Sequence, residues 1–396
     1  MKLSSEIEKE ESLDIEKIRR SPSKMDLISQ LPDCILIYIM TFLSTQVVVQ
    51  TSVLSKRWKN LWKFVPALIA NNTQFPKTIN FWMFLNSFLL YRDGYSPLNN
   101  IVVDYNGLVS IQTLTKLFKY GVSHKAERIV INSIGEGYHH LKNVEISQFM
   151  VSCSSIKYLK LLLGGSRGKV IVSHALDLPE LTYCHFKEVG FLSNSSNGNV
   201  DPFSSCKKLT TLIIESCNVM EGTKLFVSND TLSRLVIHLG ACFVPQLIVQ
   251  MNTPNLKSFT IAGCFNSVNH TCPLFVHDLK FLEQVSLELW FPRISEEIAN
   301  TFMSWLKMFT NVSSMTLASP TLMVFKSMPN FPNIEDVCFE NMETVLVKID
   351  SFASLFPMEV FEYLVKNSRC NEVTTTFAGP IWFQGILDVY YKYYLM

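Results

Sequence analysis

Charge is scarce in this chain: Asp, Glu, Lys and Arg make up 17% of its 396 residues, against a usual share of about 25%. The 35 basic and 34 acidic residues leave a net charge of +1 and are spread along the chain. The basic stripe that nucleic-acid binding requires is missing. Long apolar runs are missing as well. The strongest, CILIYIM at Cys34–Met40, falls far short of the ~20 residues that span a bilayer, so no membrane partner is expected. The first twenty residues, MKLSSEIEKEESLDIEKIRR, carry charge where a secretory signal needs an apolar core. They predict a disordered tail over residues 1–23. Ten cysteines occur without a single CxxC, and His139-His140 has no cysteine near it. No metal or cofactor is expected, and the cysteines read as small buried apolar residues of a reducing compartment, cytoplasmic and/or nuclear. HExxH and GKS/T are absent. The glycine-rich stretch Gly164-Gly165-Ser166-Arg167-Gly168 therefore reads as a turn, and catalytic residues as none.

What the chain does have begins at residue 24. In KMDLISQLPDCILIYIMTFLSTQVVVQTSVLSKRWKNLWKFVP (residues 24–66) three short amphipathic helical signals follow one another. Leu31-Pro32-Asp33 opens the first, with proline at the first helical position, and Ile35, Leu36, Ile39, Phe42 and Leu43 recur at helical spacing. Thr45 reads as the N-cap of a second run, Gln46 to Leu54, and Ser55 precedes a third that spaces Trp58, Leu61 and Trp62. Forty residues cannot bury a self-sufficient core, so such a module is expected to have its apolar surface completed by a partner.

The order LPD, an apolar helix ending in FL, then TSVLSKRW, LW and VP resembles the F-box of plant F-box proteins. The resemblance implies docking to the Skp-family linker of a Skp-cullin-F-box, cullin-RING ubiquitin ligase. Carried over motif by motif, the linker-facing residues are Leu31, Pro32, Ile35, Leu36, Ile39 and Leu43, with Val53, Leu54 and Trp58 in the later part of the box.

Past a connector at 67–97, an LxxLxL pattern returns ten times. The copies start at Leu98, Ala126, Ile156, Leu181, Leu209, Leu232, Leu256, Leu282, Val312 and Ile334, separated by 22 to 30 residues. The fourth and sixth positions lie two apart, on one face of a short strand, so stacking the copies in parallel buries one continuous core that no copy builds alone. Proline-bearing lead-ins such as Leu178-Pro179-Glu180 and Asn252-Thr253-Pro254-Asn255 precede several strands. The expected fold is α/β: a three-helix F-box at 24–66, then an irregular leucine-rich-repeat solenoid with a parallel sheet at 98–345. With the box, this resembles plant F-box/LRR proteins of the FBD-associated type. The closing segment, 346–396, is divergent or truncated, since FAGPIWFQGILDVYYKYYLM does not match the FBD region. Alternation turns the other strand residues outward, to the inside of the solenoid's curve, where Tyr158, Lys160, Tyr183, His185, Arg234 and His238 are the candidate contacts to an unknown target protein. The reading is a non-catalytic adaptor that holds a target for ubiquitination. A scaffold or small-ligand receptor outside any ligase stays open.

Overall fold

A computed structural model describes residues 27–377, apart from 108–110, 136–143, 146–152, 165–169, 194–197, 221–222, 241–248, 266–273, 276–278, 292, 310, 329–330, 332–338, 340, 350–357, 367 and 369–371. The expected tail at 1–23, most of the glycine-rich turn and all but the first residue of FAGPIWFQGILDVYYKYYLM lie outside the described residues. The chain divides into two compact units, Met1–Val65 with Tyr91–Asp93, and Pro66–Leu90 with Gly94–Met396.

The first unit holds α1 (Asp33–Met40) and α2 (Thr45–Gln50), followed by 3-10 turns at Thr51–Val53 and Trp58–Phe64. Pro32 is the N-cap of α1 and Asp33 its first residue, where a carboxylate complements the helix dipole. Three expectations shift here, the first being that Pro32 precedes the helix and does not open it. Ser44, not Thr45, caps α2, and the third helical run is 3-10 with Arg57 at its cap, so Ser55 caps nothing. The short spacing of Trp58, Leu61 and Trp62 fits the three-residue turn as well as it fits an α-helix. Leu36, Met40, Val48, Trp58, Leu61 and Val65 form the interior. Buried Arg92 closes it by donating to the Val65 carbonyl (3.3 Å).

The second unit is built on one sheet of twelve parallel strands in chain order. They are β1 (Ala67–Asn71), β2 (Asn100–Asn106), β3 (Arg128–Ile134), β4 (Tyr158–Leu163), β5 (Tyr183–Lys187), β6 (Thr211–Glu215), β7 (Arg234–His238), β8 (Ser258–Cys264), β9 (Gln284–Trp290), β10 (Ser314–Ala318), β11 (Thr344–Ile349) and β12 (Glu372–Phe377). Nine LxxLxL copies, from Leu98 to Val312, each start two residues before a strand, with the leading residue buried. The tenth, from Ile334, does not supply the next strand of the sheet. The strand after β10 follows Met342, Val345 and Val347, all buried, whereas Phe339 of the Ile334 copy makes only an isolated bridge to Ser368. The rest of that copy, except Phe339 itself, lies outside the described residues. Two strands went unread, β1 inside the expected connector and β12 inside the closing segment, so the sheet runs from 67 to 377.

Chain returns differ along the sheet. Helices α3 (Thr78–Tyr91) and α4 (Ile111–Ser123) follow β1 and β2, and α5 (Glu296–Met308), α6 (Ser319–Lys326) and α7 (Met358–Lys366) follow β9, β10 and β11. In between, short return strands pair into two four-stranded sheets, among them Val170–Val172, Gly190–Phe191, Lys224–Ser228 and Val249–Asn252.

Register is held at the strand entrances. The Glu127 carbonyl accepts from both Lys157 and Tyr158 N–H (2.8 and 3.0 Å). Lys157 accepts likewise from Thr182 and Tyr183, and Thr210 from Ser233 and Arg234; the same fork recurs at Ser233, Lys257 and Glu283. Side chains close the turns. Asn71 accepts from Thr73 N–H (2.8 Å) and buried Asn229 from Thr231 N–H (3.0 Å), which gives two Asn-x-Thr triplets a structural use. Gly263 has φ +107° and lies so close to the Leu239 carbonyl that a Cβ would collide with it at 2.4 Å. Cys153, Cys184, Cys206 and Cys217 are free and buried, and burial pushes the Cys206 and Cys217 thiols up to about 12. Cys264 departs from the expectation for cysteines and is disulfide-bonded.

Thr321, fully buried at the start of α6, accepts from Leu289 N–H (3.0 Å) and lies 2.9 Å from the Leu287 carbonyl. Thr321→Val keeps the shape but strands a buried donor, so a loss of about 1–3 kcal/mol is expected in urea denaturation. Thr321→Ser, which keeps the hydroxyl, should lose less.

Candidate functional site: an apolar docking face and an open sheet face

In the first unit the apolar residues of α1 split between two directions. Leu36 and Met40, four apart, turn inward, while Ile35, Ile39 and Phe42 turn outward together with Tyr38, whose ring meets Phe42 edge-on at 5.1 Å. Phe42 is 71% exposed, Val53 85% and Leu54 65%. Of eighteen large apolar side chains exposed among the described residues, ten lie between Leu27 and Phe64. Among the described residues that density is far above the scatter of single exposed residues that folded proteins tolerate. Arg57 organises its edge: Nε donates to Asp33 Oδ1 (2.7 Å), Nη1 to the Ser29 carbonyl (2.8 Å) and Nη2 to the Leu31 carbonyl. One guanidinium thus pins the LPD turn to the KRW segment.

Among the residues expected to face a linker, Pro32, Ile35, Ile39, Val53 and Leu54 are exposed, and Leu31 and Leu43 half-buried. Leu36 and Trp58 are corrections. Leu36 is fully buried and Trp58 is 8% exposed, because a module this small uses its two best-placed large side chains for its own core. Sequence reading passed over Tyr38 and Arg57. The i, i+3, i+4 relation of Tyr38 to Ile35, Ile39 and Phe42 was the available signal for the first.

In the second unit every second strand residue faces outward, as in the alternating burial of Tyr158 to Leu163. The first outward row aligns Asn100, Arg128, Tyr158, Tyr183, Thr211, Arg234, Ser258, Gln284 and Ser314 across adjacent strands. Tyr158 and Tyr183 stack with centroids 4.3 Å apart and planes 2° from parallel, and the Arg128 guanidinium lies 3.9 Å from the Tyr158 ring. Burial and the hydrogen bond with Tyr158 push the Tyr183 phenol up to about 12.

A second cluster is ionic. Glu215 on β6 lies 2.6 Å from Lys187 Nζ and 3.2 Å from His185 Nε2 on β5. Burial alone would raise its carboxyl, but the hydrogen bonds and charges of His185 and Lys187 outweigh it and hold it down to about 2. Burial lowers the His238 imidazole below its ordinary 6.5, against the pull of Glu215 and Glu288. Of the six candidate contacts, Tyr158, Lys160, Tyr183 and His238 are half-buried and Arg234 exposed, all on the open face. His185 is a correction: at 8% exposure it is mostly covered and engaged with Glu215, leaving a partner little of the ring to reach. Among the described residues no group of three or more His, Cys, Asp and Glu is placed to hold a metal.

The parallel strands of the second unit form a solenoid of the leucine-rich-repeat type. Comparison with known proteins carries this further: residues 28–68 match the F-box domain family. The chain is 28% identical over 290 residues to an F-box/LRR-repeat protein of Arabidopsis thaliana, covering 69% of this chain and 64% of the relative. It is 29% identical over 247 residues to F-box/LRR-repeat protein 13 of the same plant, covering 60% and 52%. An F-box/FBD/LRR-repeat protein, also of Arabidopsis thaliana, is 28% identical over 343 residues, covering 79% and 65%. The chain thus spans between about half and two thirds of the length of these relatives. An F-box at the N-terminus followed by an α/β leucine-rich-repeat fold is what sequence, structure and relatives have in common.

The ionic cluster makes stability depend on pH in a known direction. The Glu215 carboxyl titrates lower in the folded chain than its ordinary 4.5, so the unfolded chain binds its proton first as pH falls. Its stabilisation is complete above pH 4.5 and fades between about 4.5 and 2. His238, lowered from 6.5, resists a proton that the unfolded chain accepts, so its contribution turns unfavourable below pH 6.5. In urea midpoints taken from pH 2 to 8, Glu215→Gln should be weaker than the parent at neutral pH and converge with it near pH 2. His238→Gln should flatten the decline that starts at 6.5.

Proposed function

We propose that this chain is the substrate-recognition adaptor of a Skp-cullin-F-box ubiquitin ligase. The box docks to the Skp-family linker, the open face of the sheet holds a target protein, and ubiquitin transfer is performed by the other subunits in the cytoplasm or nucleus. The observation that carries this reading is the row Ile35, Tyr38, Ile39, Phe42, Val53 and Leu54, left exposed on the one segment that matches the F-box. Large apolar side chains of this kind each return about 1.5–3 kcal/mol when fully buried, enough for a few of them to anchor a partner. The repeats supply the second requirement, a rigid outward grid of polar and aromatic side chains that can be varied without disturbing the core. No residue set for catalysis enters this account, since presenting a target is a matter of proximity.

Co-purification of the full chain with a Skp-family linker tests the docking half. Val53→Asp with Leu54→Asp, both on exposed positions, should lower capture at least about tenfold while thermal unfolding is unchanged, as truncation of central anchors does. Leu31→Ala with Pro32→Ala should weaken it as well. Leu36→Ala should instead lower the stability of the box. A chain whose Val53/Leu54 double variant captures the linker as well as the parent does is not docking through this face, and the scaffold or ligand-receptor reading then takes its place.

A further inference from the structure

From β3 to β7 the first outward row reads Arg128, Tyr158, Tyr183, Thr211 and Arg234. Its first three members form one stack of flat groups. The Arg128 guanidinium lies 3.9 Å from the Tyr158 ring, and the two tyrosine rings, parallel and joined by a hydrogen bond, lie 4.3 Å apart. Tyr158 covers one face of Tyr183. The other face looks across β6, where Thr211 brings too short a side chain to cover it, and among the described residues no second ring or cation stacks on it. The next flat group is Arg234, one strand further on. Its guanidinium makes no hydrogen bond or ion pair among the described residues, and its charge acts on the Tyr183 phenol across the gap. On the far side of Arg234 the face sinks into a hollow of about 380 Å³, walled by short side chains of β8 to β10 such as Ser258, Thr260 and Ser314, so no bulky neighbour fixes the guanidinium from there.

The gap over Thr211 is one flat group wide. Tyr183 and Arg234 stand two strand spacings apart, about 9.6 Å, so a plane set midway lies about 4.8 Å from each. At that separation rings stack and a cation is drawn to a ring face. The floor is apolar: the next outward residue of β6 is Ile213, half-buried beside buried Val236 of β7. A carboxylate would suit Arg234 but meet the negative face of the tyrosine ring, and an ammonium or guanidinium would suit the ring but be repelled by Arg234. A neutral aromatic ring satisfies both walls and the floor. The surroundings add a sign. In the first two outward rows from β2 to β10 the basic side chains Arg128, Lys160 and Arg234 face no carboxylate; the acids stand in the third row, where Lys187 engages Glu215 and Lys348 engages Glu288. We propose that the gap over Thr211 takes a phenylalanine, tyrosine or tryptophan side chain of the target, flanked by acidic residues, whose ring completes the stack between Tyr183 and Arg234. This rests on the reading that the repeats hold a target, and it names the side chain by which the target is held.

The test uses the full chain and fluorescent pools of short degenerate peptides with a fixed central residue, phenylalanine or tryptophan in one set and leucine in the other, flanked by aspartate or by lysine. Anisotropy should show the aspartate-flanked aromatic pools binding at least about tenfold tighter than the aspartate-flanked leucine pool, and tighter than the same aromatic pools flanked by lysine. Thr211→Phe, which fills the gap with a ring of the chain's own, should abolish the aromatic preference. Arg234→Gln, on an exposed position, should reduce it several-fold, and Arg234→Lys less. Tyr183→Leu should remove it and Tyr183→Phe, which keeps the ring, should retain it. Gln284→Ala, in the hollow, should leave it intact. Thermal unfolding checks that each variant is folded, and should Thr211→Phe fail there, Arg234→Gln decides alone. The proposal is overturned by a leucine pool that binds as tightly as the aromatic ones, by the absence of binding from every pool, or by a preference that Thr211→Phe and Arg234→Gln leave untouched. Linker capture, measured on the same preparations, separates the two claims. Capture without aromatic preference defeats this inference alone, and preference without capture defeats the adaptor reading and leaves this one standing.

Discussion

No copy of the repeat has a core of its own, and the rest of the second unit depends on how this is resolved. Each strand contributes two or three inward side chains, far too few to offset the conformational entropy of ordering some twenty-five residues. Only in register do Leu159, Cys184, Leu212, Leu235 and Phe259 fall side by side and exclude water together. The forked carbonyls at the strand entrances enforce that register. A slip by one residue would break two hydrogen bonds at each junction and turn the inward set to solvent. Core and ladder are one constraint seen from two sides.

The same constraint makes the outward face usable. Because the inward positions are fully committed, the residues between them are free to differ from copy to copy without cost to the fold. They do differ. Toward β3 to β5 the row is aromatic and cationic, with the Tyr158–Tyr183 stack under Arg128. In the middle it is ionic around Glu215, and from β8 to β10 it is small and hydroxylic. Parallel strands at fixed spacing convert this variation along the sequence into variation across a surface, which is what recognition of one partner among many requires. In the box the exposed side chains of Ile35, Tyr38, Ile39, Phe42, Val53 and Leu54 are apolar instead.

Most of this arrangement was legible in the sequence wherever a large aliphatic residue marked each position. The copies from Leu98 to Val312 were readable because leucine, isoleucine and valine repeat there at constant offsets. The misses have physical causes. At β1 the pattern is Val65, Leu68, Ala70, all buried, and alanine at the sixth position sits in the core without registering as an apolar signal. At β12 the same offsets fall on Val373 and Thr375, and threonine is as good a strand former as it is a poor hydrophobic marker. At β11 the leading residue is Met342, and the match from Ile334, stronger in sequence, was read in its place. In the box, helical spacing identified the apolar residues but not which way they point. Leu36 and Ile35 are neighbours in sequence and both apolar, yet one is core and the other surface, a distinction made only by what α2 and the 3-10 turn at Trp58 cover.

The ionic cluster and the hollow were the least legible features, because both are made by side chains from different copies. Glu215 and Lys187 are 28 positions apart, and Lys348 reaches Glu288 from 60 positions away. No local pattern announces such pairs. Their effect on the surface is nevertheless specific: by engaging Glu215 and Glu288, the lysines and His185 remove negative charge from the middle of the open face and leave Arg234 uncompensated beside a bed of hydroxyls. An exposed pair between lysine and glutamate contributes little to stability, typically below about 1 kcal/mol. Its larger consequence here is to decide the sign of the potential that an approaching ligand meets, and that sign is set by residues that do not line the hollow at all.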